Sequence, residues 1–166
     1  GPVTGLNWVS HEKFRNENPK VFAAVSKAFD EGMDWINADK PRAAKWFIEN
    51  RKDGGKLAVI EGMAGVYAAV QRTAGFKETI AAEGKGFEVV ASVPGDWDRQ
   101  KSYDAATNIL QQNPDVVGFY CNNDGMALGV VEAVKAAGML DKIAVIGTDG
   151  ISDAYASIKA GELTAT

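Results

Sequence analysis

A chain of 166 residues is long enough to bury one real core, and 46% hydrophobic with 24% charged residues is an ordinary globular balance. A net charge of −4 gives a nucleic-acid role no electrostatic support, and no run of about 18 apolar residues offers a membrane span. One histidine, His11, and one cysteine, Cys121, exclude multi-histidine metal sites and an intrachain disulfide, and leave a Ser-His-Asp triad without a good candidate.

The opening Gly1-Pro2 reads as a protease scar, and no signal peptide is expected. Asn18-Pro19 then reads as an N-cap followed by proline at the first helical position. Val21, Phe22, Val25, Phe29, Gly32 and Ile36 follow as a helical stripe with Trp35 at its edge. Asp39 can cap a second helix near 40–51, and "KDGG" at 52–55 ends it. Two helices are therefore expected ahead of the first strand, covering a sheet face.

From residue 56 a unit repeats: apolar run, polar turn, helix. Strands are expected at 56–62, 87–93, 115–121 and 142–148, with a weaker fifth at 162–166. Helices are expected at about 64–84, 98–113, 124–137 and 152–160. Asn113-Pro114 stops one of them, because proline disfavours helical geometry in the residue before it. Gly138 and Gly161 stand where helix-ending glycines stand. Nearly continuous apolar strands alternating with helices mean a parallel sheet covered on both faces. The expectation is α/β: a flavodoxin-like sandwich with five parallel strands in the order 2-1-3-4-5. Residues 1–55 form a helical segment packed on it and 56–166 a single lobe, one compact domain in total.

In such sheets ligands sit beyond the carboxyl ends of the strands. The loops there carry Glu61-Gly62-Met63-Ala64-Gly65 with Arg72 on the helix behind, Trp97, the triplet Asn122-Asn123-Asp124, and Asp149. An aromatic, a cation, an amide and a carboxylate on one edge suit a sugar. Its C–H face stacks on the ring and its hydroxyls pair with the polar groups. Each residue also has a plainer reading: Trp97 as loop packing, Arg72 as an ion-paired helix residue, Asn123 and Asp149 as caps. In the triplet, Asp124 is expected to cap the helix and Asn123 to face a ligand, while Asn122 has no assigned task. Cys121 reads as a small buried side chain, with a reactive thiol as the lesser alternative.

Enzyme readings find less support. "GMAGVYA" is not G-x-G-x-x-G, and no G-x-x-x-x-G-K-[ST] occurs, so a nucleotide lacks its phosphate cradle. Glu61 alone does not supply the acidic pair of a phospho-receiver. No catalytic residue, cofactor or metal is expected.

The stretches "KLAVIEGMAG", "RTAGF", "PGDWDRQKSYDAATNIL", "NPDVVGFYCNNDGMALGVVEAVKAAG", "IAVIGTDG" and "AGELTAT" occur in this order. Together, from about residue 56, they resemble the C-terminal lobe of a type I periplasmic sugar-binding protein of the ribose/allose kind. Effector domains of lac-repressor-type regulators share that architecture. The resemblance implies Arg72, Trp97, Asn123 and Asp149 as sugar contacts, and a further glutamine beyond the fifth strand. It implies a monosaccharide or polyol ligand, a periplasmic location and docking on an ABC permease. "EKFRNENPKVFAAVSKAFDEGMDWINADKPRAAKWFIE" is instead similar to a helical stretch of NitT/TauT-type solute-binding proteins, which have type II topology. Two unlike resemblances in one chain suggest an engineered chimera, or a bare scaffold. The rival is a truncated single parent. A homodimer, exchanged through the N-terminal helices, is a candidate assembly.

Overall fold

The structure is a computed structural model that describes residues 11–38 and 42–166. Three helical segments precede the first strand, where the sequence predicts two: α1 (Glu12–Glu17), α2 (Pro19–Ala38) and α3 (Arg42–Asn50). The repeat follows as β1 (Gly55–Glu61), α4 (Tyr67–Glu83), β2 (Phe87–Pro94), α5 (Arg99–Gln112), β3 (Val116–Cys121), α6 (Asp124–Ala136), β4 (Ala144–Ile146) and α7 (Ser152–Lys159). Asp39, the expected cap, and the side chains of Phe29, Gly32, Trp35 and Ile36 lie outside the described residues.

The described sheet has four parallel strands in the order β2-β1-β3-β4. The expected fifth strand is a correction: it amounts to one parallel bridge between Ile146 and Ala165. Residues 164 and 165 do lie along β4, since Thr164 N donates to Val145 O and Gly147 N donates to Ala165 O. The Thr164 hydroxyl accepts from Val145 N at 3.0 Å and so occupies a backbone donor beside that short pairing.

Side chains alternate across the sheet as the pleat requires. Leu57, Val59, Tyr120, Ala144 and Ile146 face α3 and α4, where Ala44, Phe47, Phe76 and Ile80 complete one core. Ala58, Ile60, Phe119, Cys121 and Val145 face the other way, against Ile109, Met126, Val130 and Val134. Phe47 is wholly buried, and its ring lies edge-on to Phe76 and Phe87. The ring fits because residue 118 is glycine. A Cβ there would run into Phe47 and come within 3.0 Å of Leu57 Cδ2.

Of the N-terminal helices, α3 covers the sheet. Among the described side chains of α2 none is buried, and Val21 is exposed. Cys121 is fully buried, and desolvation pushes its thiol pKa up, so it behaves as an inert core side chain.

Candidate functional site

The parallel sheet brings the loops after β1, β2, β3 and β4 to one edge. Arg72, on the second turn of α4, reaches across to the loop after β4. Its Nη2 donates to Asp149 Oδ1 at 2.9 Å, and its Nη1 donates to the main-chain oxygen of Asn122 at 2.5 Å. The two charged side chains stay partly exposed, at 31% and 40%, so the pair is open to a solute.

Backbone strain marks the same edge. Among the described residues, the non-glycine positions with positive φ are Asp96 (52°), Trp97 (63°) and Asp149 (121°). Each such position costs on the order of 1–3 kcal/mol unless its surroundings enforce it, and such positions cluster at functional sites. Here one turn presents Trp97 and another presents Asp149. The half-buried Trp97 packs against the α5–α6 core, and its ring lies over Gly62, where any Cβ would strike it.

The polar triplet divides its work differently from the sequence expectation. Asn123, not Asp124, is the N-cap of α6: its Oδ1 accepts from Met126 N at 2.8 Å. The half-buried Asn123 therefore has its amide nitrogen and one remaining lone pair on Oδ1 for a solute. Asp124 is fully buried and ties loops together. Its Oδ2 accepts from Ile151 N at 3.0 Å, and its Oδ1 accepts from the Thr166 hydroxyl at 2.5 Å. Asn122 is fully buried as well, and its Oδ1 accepts from Gly62 N at 2.9 Å and from the Thr73 hydroxyl at 3.0 Å. Three polar residues in a row signal more than a cap. Only the coordinates assign Asn122, Asp124, Thr73 and Thr166 to bracing, because each acts on a residue remote in sequence.

The other acid on this edge, Glu61, turns aside, accepting from the Ser92 hydroxyl and lying 3.5 Å from Lys77 Nζ. Asp98 caps α5 by accepting from Lys101 N at 2.6 Å, as its place in the sequence predicts. An open groove of about 370 Å³ lies along the flank of β2 and α4, lined by Lys77, Ile80, Phe87 and Ser92 among others. It includes none of the four candidate residues. The strand-end edge thus offers a carboxylate and a guanidinium side by side, with an aromatic ring and an amide on neighbouring loops. That set can hold a polyhydroxylated solute by paired hydrogen bonds and C–H stacking.

Residues 41–166 match the family described as "Periplasmic binding protein domain". The match takes in α3, which the sequence reading placed in the unlike N-terminal segment. The D-allose-binding periplasmic protein of Escherichia coli K12 is 46% identical over 114 residues, covering 69% of this chain and 36% of that one. The ribose import binding protein RbsB of Salmonella typhimurium LT2 is 38% identical over 124 residues, covering 75% and 41%. Among solved structures, an ABC transporter periplasmic solute binding protein from Actinobacillus succinogenes 130z, with bound D-allose, is similar. It superposes with a TM-score of 0.71 at 35% identity, covering 75% of this chain and 44% of that one. The chain spans less than half the length of each of these three proteins. On the strength of residues 41–166, the chain belongs to the periplasmic binding protein domain family.

Proposed function

We propose that residues 41–166 are a ligand-contacting lobe of a sugar-binding protein serving an ABC transporter, acting by binding and without catalysis. The observation that carries this reading is the half-exposed Arg72–Asp149 pair at the carboxyl edge of the sheet, beside strained loops that present Trp97 and Asp149. The names of two relatives, for D-allose and for ribose, support a monosaccharide or related polyol as the solute class, and the first, a periplasmic protein, supports the periplasm as its compartment. In this reading Arg72 accepts no proton and moves none. It donates to sugar hydroxyl oxygens, Asp149 accepts from sugar hydroxyls, Trp97 stacks on the C–H face, and Asn123 donates through Nδ2.

The four side chains make a half-site, open to water on one side. Hydrogen bonds to charged groups are worth about 1.5–3 kcal/mol each. Lacking three or four of them from an opposing lobe lowers affinity by several powers of ten, at one power per ~1.4 kcal/mol. Calorimetry against D-allose, D-ribose, xylose and related polyols is expected to give a Kd no tighter than about millimolar. Micromolar binding, together with a dimer by light scattering, would instead mean that a second copy supplies the opposing contacts.

The chimera reading is favoured by α2, none of whose described side chains is buried, whereas α3 inside the family match is docked. In this proposal the NitT/TauT-like stretch, read in the sequence over residues 12–49, comes from a different parent at least up to the start of the family match at residue 41. Deleting residues 1–40 is then expected to leave the thermal unfolding midpoint of the lobe nearly unchanged. A fall of ten degrees would show that the segment is part of the fold.

A further inference from the structure

We infer that Asn122 is the positioning residue that holds the two halves of this site in register. The inference rests on the sugar-lobe reading for its purpose, but its geometry stands apart from it. One half of the site is Trp97, whose ring lies over Gly62. The other half is Arg72 with Asp149. Asn122 bonds to Gly62, beneath the Trp97 ring, and to Arg72. Its side-chain oxygen takes the Gly62 N–H at 2.9 Å, and its main-chain oxygen takes Arg72 Nη1 at 2.5 Å. The same side-chain oxygen takes the Thr73 hydroxyl at 3.0 Å, so α4 is gripped at two successive residues. Asn122 N donates to Ile60 O at 3.0 Å, which fixes the residue itself to the end of β1.

The remaining atom shows what this arrangement is set up to keep. Asn122 Nδ2 is buried and makes no hydrogen bond among the described residues. Flipping the amide would not help. It would aim Nδ2 at the Gly62 N–H, donor against donor, and strand that group as well. A buried donor without a partner is costly. An apolar residue of similar shape would avoid the cost and lose the two acceptor bonds. The side chain is therefore suited to bracing Gly62 and Thr73, and is not a filler of space.

The test is Asn122→Leu in the full chain, read by NMR with the Trp97 indole signal assigned through Trp97→Phe. Provided circular dichroism shows the variant folded, three local changes are expected. The Gly62 amide should exchange about tenfold faster or more, the loss of one hydrogen bond's protection. The Trp97 indole N–H should shift, and the Arg72 guanidinium signals should change as α4, released at Thr73, moves against the main-chain oxygen that still holds Arg72. Amides in the middle of β3 and α6 should keep their protection, which a general loss of packing would not allow. Asn122→Asp keeps the acceptor oxygen that takes both bonds, puts a second oxygen in place of the unpaired Nδ2, and is expected to restore the Gly62 protection and the Trp97 signal. If Asn122→Leu does not fold, Asn122→Ser, too short to reach both donors, replaces it. A folded Leu or Ser variant with unchanged Trp97 and Arg72 signals would overturn the inference. So would an Asp variant that fails to restore them. A D-allose titration of the unsubstituted chain is the separate arm: no shift at high sugar concentration counts against the sugar reading and leaves the bracing intact.

Discussion

Phe47→Ala is expected to cost about 3–5 kcal/mol, a large fraction of the roughly 5–15 kcal/mol by which a domain is stable. The ring has no exposed surface and fills the space between α3 and the sheet. Its contacts are with Trp46, Phe76, Phe87 and the bare backbone of Gly118. Gly118 makes the loss hard to repair. The strand surface beneath the ring has no side chain that can rearrange into the cavity, and unrelaxed cavities are the expensive ones. Urea unfolding followed by circular dichroism reads the change. A loss below about 1 kcal/mol would mean that α3 is not docked. Val21→Ala, on the exposed part of α2, is the matched control and should stay within about 0.5 kcal/mol.

The same two helices show where sequence reasoning succeeds and where it fails. The apolar stripe starting at Val21 and the one through Ala44 and Phe47 are equally good as patterns, because periodicity reports which face a helix would bury. It does not report whether a partner is there. In the structure α3 has one and buries Ala44 and Phe47, whereas Val21 remains exposed. The βα repeat was more legible, since each strand is a mostly apolar run, buried in β1, β3 and β4 and half-buried in the edge strand β2, and each helix carries its own stop. The weak point was the last strand. "ELTAT" has strand-like residues, but whether it forms a ladder depends on β4, which is three residues long, and one bridge results. At the site, Arg72, Trp97 and Asp149 could be placed because the carboxyl edge of a parallel sheet is fixed by topology. The capping in Asn122-Asn123-Asp124 was not placed, and the cap expected at Asp124 falls to Asn123. Asn and Asp are near-equal as caps, and the choice depends on which side chain has a distant claim on it. Asp124 is claimed by Ile151 and Thr166, and Asn122 by Gly62 and Thr73, which leaves Asn123 for the helix.

Asp124→Ala should cost about 3 kcal/mol, because the distant claims on this carboxylate are bonds that fix a strained turn. Asp124 has no exposed surface. Its own N–H donates to Thr148 O at 2.9 Å, and its two oxygens take Ile151 N and the Thr166 hydroxyl. The Thr166 hydroxyl oxygen in turn accepts from Gly150 N at 3.1 Å. The turn from Thr148 to Ile151 is thus held at Thr148, Gly150 and Ile151, on both sides of Asp149, whose φ of 121° needs such enforcement. Alanine would leave the Ile151 N–H unpaired in a part-buried position and free the Thr166 hydroxyl to turn away, each at about 1–3 kcal/mol. It would also open a cavity beside Gly147, which packs so closely on Asp124 that it has no room for a Cβ. Asp124→Asn should be milder, about 1 kcal/mol, because a hydroxyl can donate or accept. Thr166 can rotate to accept from the new amide while the remaining oxygen keeps Ile151. Denaturant unfolding of the two variants side by side makes the comparison. Equal costs for alanine and asparagine would show that the lost charge, not the lost pair of acceptors, is what the turn depends on. A negligible cost for both would show that β4 alone holds Asp149 in place.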